Sequence, residues 1–334
     1  MRKKYYKVYK YIAGKLYDSN DKLVTKKELY NIINKYKVPS HLHDVTLVAN
    51  NISEADNGII YIGLDSKNKK QYIYGINFIK RRKAYKINIF LNVEKKIPSI
   101  EKFIKHELHN LEYNKPITET NLFAIILVME MNFFIRTGKK KYLNDNETIG
   151  LMTLQKKNFK VCDDNIIITF KGKLGQLQEF SIDKSGHKLL YNIIKILYEN
   201  TNDFIFKDSN GNIFTESKLY SMMKKYKITL KDIRTYGVNK ILIRELWKEI
   251  QSMNEDDILD LRKKHIKKLM SNIINRTASI IGHTPAISKK SYIVDELRNL
   301  IDISVISKSK ELNFDKFYNY ILNKLKNEVN KIDN

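Results

Sequence analysis

Ile59-Ile-Tyr-Ile-Gly-Leu64, a polar turn Asp65-Ser-Lys-Asn-Lys-Lys70, and Gln71-Tyr-Ile-Tyr-Gly75 form two β-rich runs around a loop, and a few residues on Lys80-Arg-Arg-Lys83 opens a stretch of different texture. Upstream the pattern stays short and strand-like. Tyr5 to Ile12, the turn Ala13-Gly14, and Lys15 to Tyr17 read as a hairpin; Thr25 to Tyr36 reads as a short helix with Pro39 as its stop. Downstream it turns helical. Ser99 to Asn110 is one helix; a second runs from near Thr118 through Leu122, Phe123, Ile126, Met131 and Phe134 to Arg136, ends before Gly138, and is apolar on nearly all sides, so it should be buried. One β interruption follows: Asn165-Ile-Ile-Ile-Thr-Phe-Lys-Gly-Lys173, the turn Leu-Gly-Gln, and Leu177 to Ile182 read as a hairpin. From Gly186 to Lys331 helical segments alternate with short loops, and no internal repeat stands out. The expectation is an α+β protein: a small N-terminal antiparallel β-sheet domain, residues 1–82, then a larger, mainly α-helical domain with a β-hairpin, residues 83–334, and the basic run at 80–83 as linker.

The 334 residues carry 61 Lys plus Arg against 37 Asp plus Glu, a net charge of +24. An excess of that size points to a polyanionic partner, because neutralising phosphates releases condensed counterions. The abundance of Lys, Asn and Ile is also what an AT-rich genome produces; such bias favours Lys over Arg but does not by itself create a surplus of cations over anions. It makes the 9 arginines among 52 lysines informative, since a retained Arg marks a place where a planar, always-charged fork is needed. No secretory signal opens the chain, and the longest apolar run, Leu122 to Met129, is far short of the ~20 residues of a membrane span, so a soluble protein is expected. With the single Cys162 no internal disulfide and no cysteine-based metal site can be built.

Several motifs lead nowhere. Thr137-Gly138-Lys139 lacks the upstream glycine of a phosphate loop, so no nucleotide cofactor is expected. His106-Glu-Leu-His109 is one residue short of the spacing that puts two histidines on one helical face, and His41 and His43 read as a loop pair. Asp256-Asp-Ile-Leu-Asp260 is explained by acidic residues complementing a helix N-terminus. No metal site is expected. A basic protein that cuts DNA without metal must replace it with side chains: an attacking group, cations around the phosphorane, and an acid for the leaving 5′ oxygen. Phe134-Ile-Arg136-Thr-Gly-Lys, Lys173 on the hairpin, Lys231-Asp-Ile-Arg234-Thr-Tyr-Gly-Val-Asn and Gly282-His283-Thr-Pro-Ala-Ile-Ser-Lys-Lys-Ser-Tyr292 supply, in order, Arg, Lys, Arg, His and Tyr.

These segments resemble the motifs of the poxvirus type IB DNA topoisomerases, in the order that family shares with the tyrosine recombinases. Ser66-Lys67 to Gln71-Tyr-Ile-Tyr-Gly75 and Lys141-Tyr-Leu to Asn146-Glu-Thr148 are similar too, so the likeness covers nearly the whole chain. Recombinases usually carry His three residues before the second Arg; Lys231 stands there instead, which favours the topoisomerase. The resemblance implies relaxation of supercoiled duplex DNA through a 3′-phosphotyrosyl intermediate. Tyr292 would attack and store the bond energy without ATP. Arg136 and Arg234 would fork onto non-bridging oxygens, His283 would donate to a phosphate oxygen, and Lys173 would protonate the leaving alkoxide. Gln71, Tyr72 and Tyr74, with both tyrosines on one strand face, would read bases, and Lys67, Lys139 and Tyr142 would contact phosphates or bases. The front domain would act as half of a clamp around duplex DNA, in a monomer without cofactor, found in the virion and host cytoplasm. A tyrosine site-specific recombinase and a non-catalytic architectural DNA-binding protein are the alternatives; the first needs a synaptic tetramer, the second forms no covalent adduct.

Overall fold

The computed structural model describes residues 7–111, 116–282 and 284–333. The chain divides into two compact units, with the division between Tyr85 and Lys86. In the first unit β1 (Tyr9–Ile12), β2 (Lys15–Tyr17), β3 (Leu23–Val24), β4 (His43–Leu47), β5 (Ile59–Leu64) and β6 (Lys70–Tyr74) form one antiparallel sheet in the order β3-β2-β1-β4-β5-β6. Ala13 and Gly14 both have positive φ, as a two-residue turn matching strand twist requires. Leu16, Val45, Leu47 and Ile60 from the sheet share a core with Leu29 and Ile32 of α1 (Lys27–Lys35). Helix α2 (Ile52–Asn57) is capped by Asn51, whose side chain accepts from the Glu54 amide at 2.8 Å.

Helix α3 spans Ile76–Leu111 without a break. The basic run at 80–83 is therefore helical, not a loop. Lys and Arg are good helix formers, and Arg81 donates to the Asn57 side chain at 2.6 Å and to its carbonyl at 2.7 Å. The helix expected from Ser99 to Asn110 is the second half of α3, which runs through Pro98. The proline forfeits one backbone hydrogen bond, but Ile97 and Ile100 on either side are buried and hold the segment in place.

The second unit continues with α4 (Glu119–Phe133), α5 (Lys140–Asn146), the strands β7 (Phe159–Val161), β8 (Asn165–Lys171) and β9 (Leu177–Asp183), then α6 (Lys188–Glu199), α7 (Glu216–Met223), α8 (Leu230–Ser252), α9 (Glu255–Leu259), α10 (Lys263–Ile281), α11 (Pro285–Ser291), α12 (Asp295–Asn299), α13 (Ile303–Ser309) and α14 (Phe314–Asp333). The fold class is α+β as the sequence indicates, a six-stranded antiparallel sheet followed by a mainly helical part. The expected hairpin gains a third strand, β7, giving the order β7-β8-β9. Helix α4 is buried from Asn121 to Leu127 and starts in a Thr118–Asn121 capping box. It stops earlier than expected: Phe134 takes a left-handed conformation at φ 51°, so Arg136 lies beyond the helix rather than at its C-terminus. Helix α8 packs against α4 and α10, which gives the unit its centre.

Candidate active site

Arg136 is fixed by its backbone. Its carbonyl accepts from the Leu151 amide and that of Thr137 from the Met152 amide, both at 2.7 Å. Such close contact needs glycine opposite: a Cβ on Gly150 would lie 2.4 Å from the Arg136 carbonyl oxygen. One residue earlier, the Ile149 amide donates to the Lys171 carbonyl at 2.9 Å, tying this segment to the end of β8. On the other side the Phe134 ring fills the space where a Cβ on Gly237 would stand, only 1.8 Å from a ring carbon. Gly237 lies one turn after Arg234 on α8, so the two arginine segments pack directly on one another.

Helix α8 opens with a capping box in which the Asp232 amide donates to the Thr229 hydroxyl at 3.2 Å and the Thr229 amide to Asp232 at 2.9 Å. Its first turn presents Lys231 to solvent and buries Arg234, which is 4% exposed. Lys173 is exposed and begins the tight turn Lys173–Gly175 between β8 and β9; the turn closes through Gly172 N–H to the Gln176 carbonyl at 2.8 Å. Gln178 on β9 donates to the Gly282 carbonyl at 3.4 Å, joining this sheet to the end of α10.

Tyr292 follows α11 directly. The helix has Pro285 in its first turn and Thr284 as cap, whose hydroxyl accepts from the Ile287 amide at 3.3 Å. The fully buried Asn239 of α8 then grips the chain on both sides of Ile293, donating to the Tyr292 carbonyl at 3.0 Å and accepting from the Val294 amide at 2.8 Å. Lys86 adds two bonds of 3.2 Å to the carbonyls of Lys290 and Ile293. The guanidinium of Arg234 lies 5.4 Å from the centre of the Tyr292 ring. Burial holds the Arg234 pKa below its usual range, Tyr292 and Glu130 oppose that fall, and the Arg136 charge adds to it. Burial likewise pushes the Glu130 carboxyl well above its usual range, with Arg234 pulling the other way.

Arg136, Lys173, Arg234 and Tyr292 line one cavity of about 430 Å³, together with Lys231, Gln178 and Gly282. His283, the remaining candidate, lies outside the described residues. Lys231, noted in the sequence only as standing where recombinases carry His, is thus a cation at the site, and Asn239 is the residue that sequence reasoning left without a role although it closes the same motif. The other candidates are not among the residues lining this cavity. In the first unit Gln71, Tyr72 and Tyr74 share β6, an edge of the sheet; Tyr72 is 45% exposed, Tyr74 stacks on Phe78 at 4.5 Å, and the Gln71 side chain donates to Asp65 at 2.7 Å. Lys67 is in the exposed loop before it. In the second unit Lys139 precedes α5 and pairs with Glu216 at 3.2 Å, which raises its pKa, while Tyr142 on α5 is 49% exposed; neither lines the cavity.

Two family models match the chain: viral DNA topoisomerase I, N-terminal, over residues 4–63, and eukaryotic DNA topoisomerase I, catalytic core, over residues 76–316. DNA topoisomerase 1B of vaccinia virus (strain Copenhagen) is 33% identical over 96% of this chain and 98% of its own length. The chain belongs to the type IB DNA topoisomerases. DNA topoisomerase 1 of rabbit fibroma virus (strain Kasza) is 32% identical over the same shares of the two chains, and DNA topoisomerase 1B of Acanthamoeba polyphaga mimivirus is 29% identical over 84% of this chain and 81% of the relative. As a type IB topoisomerase it is an isomerase whose substrate is duplex DNA. The stretch matched by the catalytic-core model contains Arg136, Lys173, Arg234 and Tyr292, the four candidate residues that line the cavity. Among the described residues no helix is long and apolar enough to cross a membrane.

Proposed function

We propose that this topoisomerase relaxes supercoiled DNA by nicking one strand through Tyr292, letting the free 5′ end turn about the intact strand, and resealing, without metal or ATP. The observation that carries the reading is the convergence of Tyr292, Arg234, Arg136 and Lys173 on one cavity. The Tyr292 oxygen attacks the scissile phosphorus, its proton passing to solvent; the bond from phosphorus to the 5′ oxygen breaks, leaving a 3′-phosphotyrosine and a 5′ hydroxyl. Arg136 and Arg234 approach from separate segments, which suits two forks on the two non-bridging oxygens, where negative charge grows in the phosphorane. His283 donates a further hydrogen bond to a phosphate oxygen. Lys173 stands apart on an exposed turn, as an acid for the leaving oxygen must when the arginines hold the equatorial ones. Resealing is the reverse, with the 5′ hydroxyl displacing Tyr292 and returning its proton to Lys173.

The first unit, with β6 as its reading edge, acts as the N-terminal part of a clamp on the duplex, residues 1–82 by the domain division drawn from sequence. Lys67, Gln71, Tyr72 and Tyr74 contact DNA from this unit, and Lys139 and Tyr142 from the other. The enzyme works as a monomer, in the virion and host cytoplasm. Incubating purified protein with supercoiled plasmid in EDTA and no nucleotide tests the reading. Complete relaxation in discrete steps is expected; a requirement for magnesium or ATP would contradict it, and relaxation only with paired target sites would turn it toward recombination.

A further inference from the structure

Helix α11 separates two cavities. At about 100° per residue, Ile287 and Ser291 point to one side and line the site described above, while Pro285, Ala286 and Lys289 point to the opposite side and line a groove of about 1160 Å³. The far wall of that groove is α10, and its third wall is the chain from α12 into α13. Its floor is apolar, made by Met270 and Ile274 of α10 and by Ile301, all buried, while Ile303 at its edge is 42% exposed. Its rim is cationic: Lys263, Lys267 and Lys289 are exposed, and Arg298 is half-buried at 3.8 Å from Asp295. Asp302, the acid among its described lining residues, is engaged by the Val305 amide at 2.8 Å.

A DNA duplex would use the rim but not the floor, because its backbone presents charged phosphates outermost and no apolar side chain to fill a groove. The occupant that satisfies both carries carboxylates beside apolar side chains. The volume exceeds the ~300–1,000 Å³ of small-molecule pockets and suits a peptide laid along α10. We propose that the groove behind α11 docks an acidic, amphipathic peptide segment of a partner protein, and that its occupancy is felt at Tyr292 through the helix the two cavities share. The second half rests on Tyr292 as nucleophile; the first does not.

The probe is a short fluorescein-labelled peptide with Leu and Phe at helical spacing among Asp and Glu, set against one of equal charge with Ser in place of Leu and Phe. Anisotropy on the full-length protein should give at least about tenfold tighter binding of the amphipathic peptide. Lys267→Glu and Ile303→Asp, both at exposed positions, should each weaken it by about tenfold while relaxing plasmid normally without peptide. Equal binding of the two peptides, or full binding by both variants, would overturn the docking site. Displacement of the peptide by single-stranded oligonucleotide with the same sensitivity to both variants would overturn it as well, assigning the groove to nucleic acid. Saturating peptide should shift the fraction of wild-type enzyme held in covalent adduct with DNA. An unchanged fraction with peptide bound would overturn the coupling alone, whereas no adduct under any condition would overturn the role of Tyr292.

Discussion

Arg136 and Arg234 are two of 9 arginines in a chain with 52 lysines, and both reach the same cavity. A lysine keeps the charge but cannot grip two oxygens in a plane, so Arg136→Lys and Arg234→Lys should each slow single-turnover cleavage by at least about tenfold, or roughly 1.4 kcal/mol of transition-state stabilisation. Normal cleavage by both would make the arginines structural. Beneath Arg234 lies Glu130, whose carboxyl burial pushes well above its ordinary 4.5. Because the folded state holds this proton more tightly, the contribution of Glu130 is fully present below pH 4.5 and declines as pH rises through the higher folded titration. Glu130→Gln removes that decline. Its melting temperature should match wild type in acid and exceed it at neutral pH, by about 2–4 °C for each kcal/mol recovered. A variant less stable at neutral pH would mean that the attraction to Arg234 outweighs desolvation.

At the level of elements, the turn Lys173–Gly175 decides which lysine reaches the cavity. Lys171 ends β8 and is not among the residues lining the cavity, while Lys173, two residues on, is. Strand alternation alone would put both on one face; the chain leaves the strand between them, and alternation no longer applies. Lys173→Ala should cripple cleavage of ordinary DNA and recover most of its rate when the scissile 5′ oxygen is replaced by sulfur, since a thiolate leaves without a proton. Arg136→Ala and Arg234→Ala should recover much less. Equal defects on both substrates would move the acid elsewhere. Long periodic elements were legible in the sequence: the apolar α4, short of its expected end at Arg136, the β5–β6 pair and the β8–β9 pair stand where their patterns put them. What escaped was set by tertiary contact. Pro98 and the run from Lys80 to Lys83 carry the marks of a break, yet α3 passes through both, held by Ile97, Ile100 and the bonds of Arg81. β7 is three residues long, too short for a pattern. Asn239 gains its role from the chain around Ile293, more than fifty residues away, which no local reading can reveal.

Across the whole molecule, the proposed function assigns binding to the charge of +24 and to the exposed tyrosine edge of the N-terminal sheet, and chemistry to the residues gathered in the helical unit. A cationic protein can hold DNA without any chemistry, so affinity alone cannot separate a topoisomerase mechanism from simple binding. The covalent bond can. The most direct measurement is denaturing gel analysis of the protein with end-labelled duplex DNA in EDTA, followed by mapping of the labelled peptide. Wild type should yield one adduct in which the DNA 3′ phosphate is joined to Tyr292, and Tyr292→Phe should bind the duplex as tightly and yield none. An adduct mapped to another residue, or plasmid relaxation by Tyr292→Phe, would contradict the account.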